Sequence, residues 1–197
     1  MSDEIHRDIV YSPHKHIPLI SLGEEAQGIS ITFTAPSKTF NLAGLKVANI
    51  ITVNENLKKI IDKKLLANEI NQPNIFGIEA LIKAYTECDV WLNELLDYLK
   101  NNIDFTLDYI SKNIPQIKVL APEATYLMWF DCQNVKMSSK SLAKYLLKKY
   151  KLRVNYGDIY GQGGEGYIRF NIACPKETLI KSLELFKIAI ENIENEE

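Results

Sequence analysis

The stretch that most constrains this chain runs from Ile75 to Ile114. Ile78, Leu81, Ile82, Tyr85, Trp91, Leu92, Leu95, Leu96 and Leu99 recur there at helical spacing on one broad stripe. The stretch lies between Pro73 and Pro115, each of which stops a helix. A helical pattern of this length is unusual within a single globular domain and is typical of a helix that bridges two of them. Its aromatic and leucine stripe reads as core surface rather than as a binding face. On both sides the grammar changes to short β-type runs, so the chain is expected to be an α/β protein with sheet modules before and after a long helix.

Upstream, Ile29 to Phe33 is a continuous β-branched and aromatic run, the pattern of a strand buried on both faces, and Gly23 to Gly28 reads as a polar turn before it. Val47 to Val53 (VANIITV) is a second buried-strand candidate. Asn54 is placed to cap an amphipathic helix carrying Leu57, Ile60, Ile61, Leu65 and Leu66 between Lys58, Lys59, Lys63 and Lys64. The opening, MSDEIHRDIVYSP, looks like the end of an element whose beginning is missing.

Downstream, Ile117 to Leu120 and Tyr126 to Asp131 read as strands, and Ser138 or Ser139 as the cap of a helix over Lys140 to Lys149. Leu152 to Asn155 and Tyr167 to Ile172 read as further strands, and Thr178 to Asn195 as a terminal helix. Between Gly157 and Gly166 lie five of the chain's nine glycines, so the backbone there must turn sharply or approach something closely. The expected organisation is the end of a sheet domain over residues 1–72, a connecting helix region over 73–116 and a compact α+β module over 117–197.

Composition narrows the function classes. With 197 residues, 46% of them hydrophobic and 24% charged, the chain can bury a core of one large or two small domains. Its 23 basic and 25 acidic residues, net −2, give no basic field for nucleic acid or an anionic membrane. No apolar run approaches the roughly 20 residues of a membrane span and no secretory leader opens the sequence. A cytoplasmic, small-molecule role is expected. Cys88, Cys132 and Cys174 lie far apart without CxxC spacing and are expected as free thiols. His6, His14 and His16 crowd Asp3, Glu4 and Asp8 near the start, but the spacing fits no metal-binding pattern, and no metal is expected.

Two cations stand out. In TFTAPSKTFNLAGL, residues 32–45, an apolar run delivers Lys38 into a loop of small and hydroxyl residues. A lysine held beside buried surface becomes a usable amine nucleophile, although most lysines at strand ends are simply solvated. Arg169, one of three arginines, lies inside an apolar strand just after the glycine-rich loop. It is either half of a buried ion pair or a bidentate fork for a substrate carboxylate.

SDEIHRDIVY (2–11), TAPSKTFNLAGL (34–45) and YIRFNIACP (167–175) together resemble, in order and spacing, the fold-type I pyridoxal-phosphate enzymes of the aspartate aminotransferase superfamily. Within it, SDEIH with APSKTFNLAGL resembles the MalY/PatB group of cystathionine β-lyases, or C-S lyases. The resemblance covers essentially the whole chain and the C-terminal half of the family. It implies the C-terminal part of the PLP-dependent transferase fold: the end of the large-domain sheet, a long connecting helix and a small α+β domain. The phosphate-holding turn and the ring-stacking aromatic of such enzymes lie in the half before SDEIH, so the chain resembles a fragment.

The resemblance also implies residue roles. Lys38 matches the lysine that carries pyridoxal 5'-phosphate and later moves the Cα proton. Asp3 matches the carboxylate that keeps the pyridine nitrogen protonated. His6 stands near the ring hydroxyl, Ser37 and Thr34 are candidates for the phosphate, and Lys46 replaces an arginine of many relatives. Arg169 matches the fork for the α-carboxylate, and Tyr126 lines the same pocket. The implied reaction is α,β-elimination from cysteine conjugates, releasing thiol, pyruvate and ammonia. Transamination is the alternative within the family, and a truncated, non-catalytic remnant the alternative outside it. An amino-acid substrate and a homodimer are implied, and a lone half is expected to expose an apolar sheet edge and face.

Overall fold

The computed structural model describes residues 1–195. The chain divides into two compact units, Met1–Leu96 and Asp97–Glu197.

In the first unit, β1 (Ser2–Asp3) lies parallel to β2 (Thr32–Thr34), with Asp3 opposite Phe33, and β3 (Asn49–Ile51) runs antiparallel on the other side of β2. Helix α1 (Glu24–Ile29) occupies the segment read as a polar turn and the start of a strand. Ile29 is 74% exposed at its end, so the strand begins only at Thr32. Continuous β-branching did not decide the matter here because Glu24 and Glu25 supply a favourable acidic first turn for a helix. Likewise Val47 to Val53 is not a buried strand. β3 is a short edge strand whose Ile50 and Ile51 are both more than a third exposed, with Val53 open beyond it.

Asn54 caps α2 (Glu55–Ala67) as expected, its side-chain oxygen accepting the Asn56 and Leu57 amides at 2.9 and 3.1 Å. The forty-residue helical pattern is two helices, α3 (Ile75–Glu87) and α4 (Asp89–Asn113). They meet at Cys88, whose carbonyl accepts the Leu92 amide as the first bond of α4, and Asp89 supplies the acidic first turn of the new helix. The buried apolar side chains of this unit include Ile9, Tyr11, Ala35, Val47 and Ala84.

The second unit holds an antiparallel sheet in the order β4 (Lys118–Val119), β5 (Leu127–Asp131), β7 (Tyr167–Asn171), β6 (Asn155–Tyr156). Alternation sets its two faces. Met128, Phe130, Ile168 and Phe170 point inward, against the buried Leu142 and Leu146 of α5 (Ser139–Tyr150) and Leu179, Leu183 and Phe186 of α6 (Lys176–Asn195). Phe130 and Phe170 stack with centroids 5.0 Å apart, and Phe186 meets Phe130 edge-on. Trp129, Tyr167 and Arg169 are on the outward face. No helix among the described residues is long and apolar enough to cross a membrane.

Candidate active site

Because β1 and β2 are parallel, their carboxyl ends lie on one edge of the sheet, the edge at which α/β folds bind ligands. Asp3 is the last residue of β1, and Lys38 lies in the turn that follows β2. Asp3 accepts the Ile5 amide on Oδ1 at 3.2 Å. The Lys38 side chain is exposed, not set beside buried surface as the loop alone implied, and makes no hydrogen bond or ion pair among the described residues. The turn around it is well defined. The Phe40 amide donates to Pro36 O at 2.8 Å and the Leu42 amide to Ser37 O at 3.2 Å, with Asn41 left-handed at φ 56°.

The other expected residues of this unit are distributed around that edge. Ser37 is half-buried beside Lys38. Thr34 is buried, and its hydroxyl accepts Asn49 Nδ2 at 3.2 Å, a partner the motif did not announce. His6 is in the tight turn directly after β1. Lys46 adopts a left-handed conformation at the end of a short turn, Ala43–Leu45, and lines an open groove with Val47, Ile50 and residues of α2.

The N-terminal group of histidines and carboxylates resolves into two separate networks. Glu4, 4% exposed, accepts Ser2 Oγ and the Leu19 amide on Oε1 and faces His16 Nε2 at 2.9 Å on Oε2. Burial pushes its carboxyl up, but the Leu19, His16 and Ser2 donors outweigh that and hold it below the ordinary value. Asp8 accepts Thr39 Oγ1 at 3.0 Å and the Tyr85 hydroxyl at 3.2 Å on one oxygen, and Arg7 Nε at 3.3 Å on the other. The bonds from His16 and Leu19 to Glu4 and from Thr39 and Tyr85 to Asp8 are not legible in the sequence because their partners are separated along the chain.

In the second unit, Arg169 is on the outer face of β7, opposite Trp129 of β5. It is only half-buried, and its guanidinium lies 4.4 Å from the centre of the Tyr160 ring, which Trp129 meets edge-on. A ring therefore answers the cation without consuming its N–H donors, and Arg169 forms no ion pair among the described residues. Tyr126 is close enough that the Arg169 charge lowers its hydroxyl pKa against the larger upward push of burial. The glycine-rich loop makes a close approach to itself. A Cβ at Gly157 would stand 1.9 Å from Gly164 O, which is why neither position carries a side chain.

The sequence pattern of aminotransferase class I and II matches residues 1–184. The chain belongs to the aminotransferase class I and II family. Among relatives in that family, the chain is 37% identical to cystathionine β-lyase PatB of Bacillus subtilis, over 96% of this chain and 49% of PatB. It is 31% identical to the protein MalY of Escherichia coli, over 93% of this chain and 46% of MalY. Cystalysin of Treponema denticola, a crystal structure containing pyridoxal 5'-phosphate, superposes with a TM-score of 0.93 at 34% identity, over 98% of this chain and 49% of cystalysin. The chain spans about half the length of these relatives. Its fold is that of the PLP-dependent transferases.

Within this class I and II frame the donor set suits pyridoxal 5'-phosphate. A primary amine that makes no hydrogen bond or ion pair among the described residues and a carboxylate belong to one sheet edge, group types of the kind such a cofactor needs.

Proposed function

We propose that this chain carries the lysine-bearing part of a pyridoxal 5'-phosphate site in a carbon–sulfur lyase of the cystathionine β-lyase type. The observation that carries the reading is that Asp3 ends β1 and the Lys38 turn follows β2, at the same end of two parallel strands, with no hydrogen bond or ion pair to the Lys38 amine among the described residues, in the sequence SDEIH…SKTFN. When bound, the cofactor supplies an electron sink for charge developing at the substrate Cα.

The chain's own residues do the rest. Lys38 would hold the cofactor through its amine and would take the Cα proton of the amino acid; loss of the β-thiolate would leave 2-aminoacrylate, which water hydrolyses to pyruvate and ammonia. Asp3 keeps a proton on the ring nitrogen. His6 is placed for the ring hydroxyl, Ser37 and Thr34 for phosphate oxygens, and Lys46 as a point charge beside them. Arg169 receives the α-carboxylate of the amino-acid substrate bidentately, with Tyr126 beside it. Cytoplasmic location and a homodimer belong to the same reading, the latter supported by exposed apolar residues such as Ile75 and Phe76.

Transamination would use the same side chains, so the discriminating experiment is pyruvate release from cystathionine with pyridoxal 5'-phosphate and no added keto acid. Release that disappears in Lys38→Ala supports the lyase. Turnover that depends on a keto acid replaces it with an aminotransferase, and no turnover under either condition favours a non-catalytic chain.

A further inference from the structure

Lys38 is exposed and makes no hydrogen bond or ion pair among the described residues, so whatever fixes it acts through its neighbours. The residue after it, Thr39, is 1% exposed, and its hydroxyl donates to Asp8 Oδ2 at 3.0 Å. Tyr85 of α3 donates to the same oxygen at 3.2 Å, while Arg7 Nε approaches the other at 3.3 Å. Phe40, the next residue, is held between Tyr85, edge-on at 5.5 Å, and Trp91, stacked at 5.6 Å. Two segments far apart in sequence, Arg7–Asp8 and the stretch from Tyr85 to Trp91, thus converge on the two residues that follow the lysine. Hydrogen bonds to a carboxylate are among the stronger ones, and a β-branched threonine has few rotamers, so bonding its hydroxyl also fixes the backbone at position 39. Burial, and then the Asp8 charge, push the Tyr85 hydroxyl up to about 12, so it remains a donor through the neutral range.

We propose that Asp8 is a positioning residue for Lys38, acting through Thr39 and braced by Tyr85, so that the loop presents the amine in one orientation to the cofactor. This rests on the reading of Lys38 as the cofactor lysine. The carboxylate touches neither cofactor nor substrate. It sets the direction of the backbone one residue beyond the nucleophile, where a small displacement is carried straight to the amine.

The test uses the full chain and Thr39→Val, which keeps the shape and removes the hydroxyl, with Thr39→Ser, which keeps the hydroxyl, and Tyr85→Phe. Three quantities are read: amide exchange at Phe40 and Leu42, the rate at which Lys38 is labelled by pyridoxal 5'-phosphate with borohydride, and the urea midpoint. Thr39→Val is expected to exchange about tenfold faster at both amides and to label Lys38 several-fold more slowly, the scale of one lost bond to a charged acceptor. Thr39→Ser should lie within about twofold of wild type, and Tyr85→Phe between the two. Thr39→Val should lower the urea midpoint by the loss of that bond while Thr39→Ser keeps the wild-type one, and exchange and labelling are read without denaturant, where both variants are folded.

If Thr39→Val exchanges and labels like wild type, or if Thr39→Ser loses as much as Thr39→Val, the positioning role is overturned while the cofactor reading stands. If wild type gives no preferential label at Lys38, the cofactor reading fails and the positioning role falls with it, even where the exchange pattern follows the hydroxyl.

Discussion

At the scale of single residues, the fork and the buried carboxylate make separable predictions. On the proposed reading Arg169 would donate from a planar guanidinium 4.4 Å from the centre of the Tyr160 ring, whereas lysine offers one point charge. Arg169→Lys is expected to raise KM for the amino acid about tenfold or more with a smaller change in kcat, and Tyr160→Ala about threefold, while Tyr160→Phe leaves KM unchanged. Steady-state kinetics of the three variants checks this.

Glu4 makes a pH-dependent claim. Its folded-state pKa lies below the ordinary 4.5, so its contribution is present above that value and is lost as pH falls through the depressed one. Glu4→Gln should therefore cost about 1–3 kcal/mol at pH 7, and the gap should close in acid, which urea midpoints from pH 7 to 3 will read. Lys38, Asp3 and Arg169 could be singled out in the sequence because each belongs to a short motif. The Thr39–Asp8–Tyr85 bonds could not, since they join residues 31 and 77 positions apart and hydrogen-bond partners leave no periodic trace.

At the scale of elements, legibility followed the physics that decides each one. α2 and α5 were visible because helical period and a side-chain cap agree: Asn54 bonds two amides at the start of α2, and Ser138 Oγ accepts the Ser141 amide at the start of α5; α6 was visible from period alone. Ile29 to Phe33 misled because its apolar content carries no period, leaving the choice between helix and strand to tertiary packing. The break at Cys88 was hidden because α3 and α4 each keep an apolar stripe, so the pattern runs through the join.

Two substitutions weigh these elements. Asn54→Ala should cost about 1 kcal/mol, the usual value of a helix cap. Phe186→Ala, at a fully buried ring touching Phe130 and Phe170, should cost about 3–5 kcal/mol through lost contact and a cavity. Urea denaturation followed by circular dichroism gives both.

At the scale of the whole molecule, the first unit carries several exposed large apolar side chains close together in sequence. Ile60, Leu66, Ile70, Ile75 and Phe76 are all at least 58% exposed, close in sequence to the Ile50 and Ile51 edge strand. Surface of that kind favours association. Sedimentation velocity is expected to show concentration-dependent association that Ile75→Lys together with Phe76→Lys weakens. The placing of Lys38 and Asp3 on one sheet edge is likewise a property of the fold, since it follows from the parallel pairing of β1 and β2 rather than from either motif. The most direct test of a cofactor site at that edge is borohydride reduction of the chain with pyridoxal 5'-phosphate, followed by peptide mass mapping. A pyridoxyl group concentrated on the Lys38 peptide, diminished in Asp3→Asn and absent in Lys38→Ala, is the predicted result. Label spread over the exposed lysines with no preference for Lys38 would contradict it.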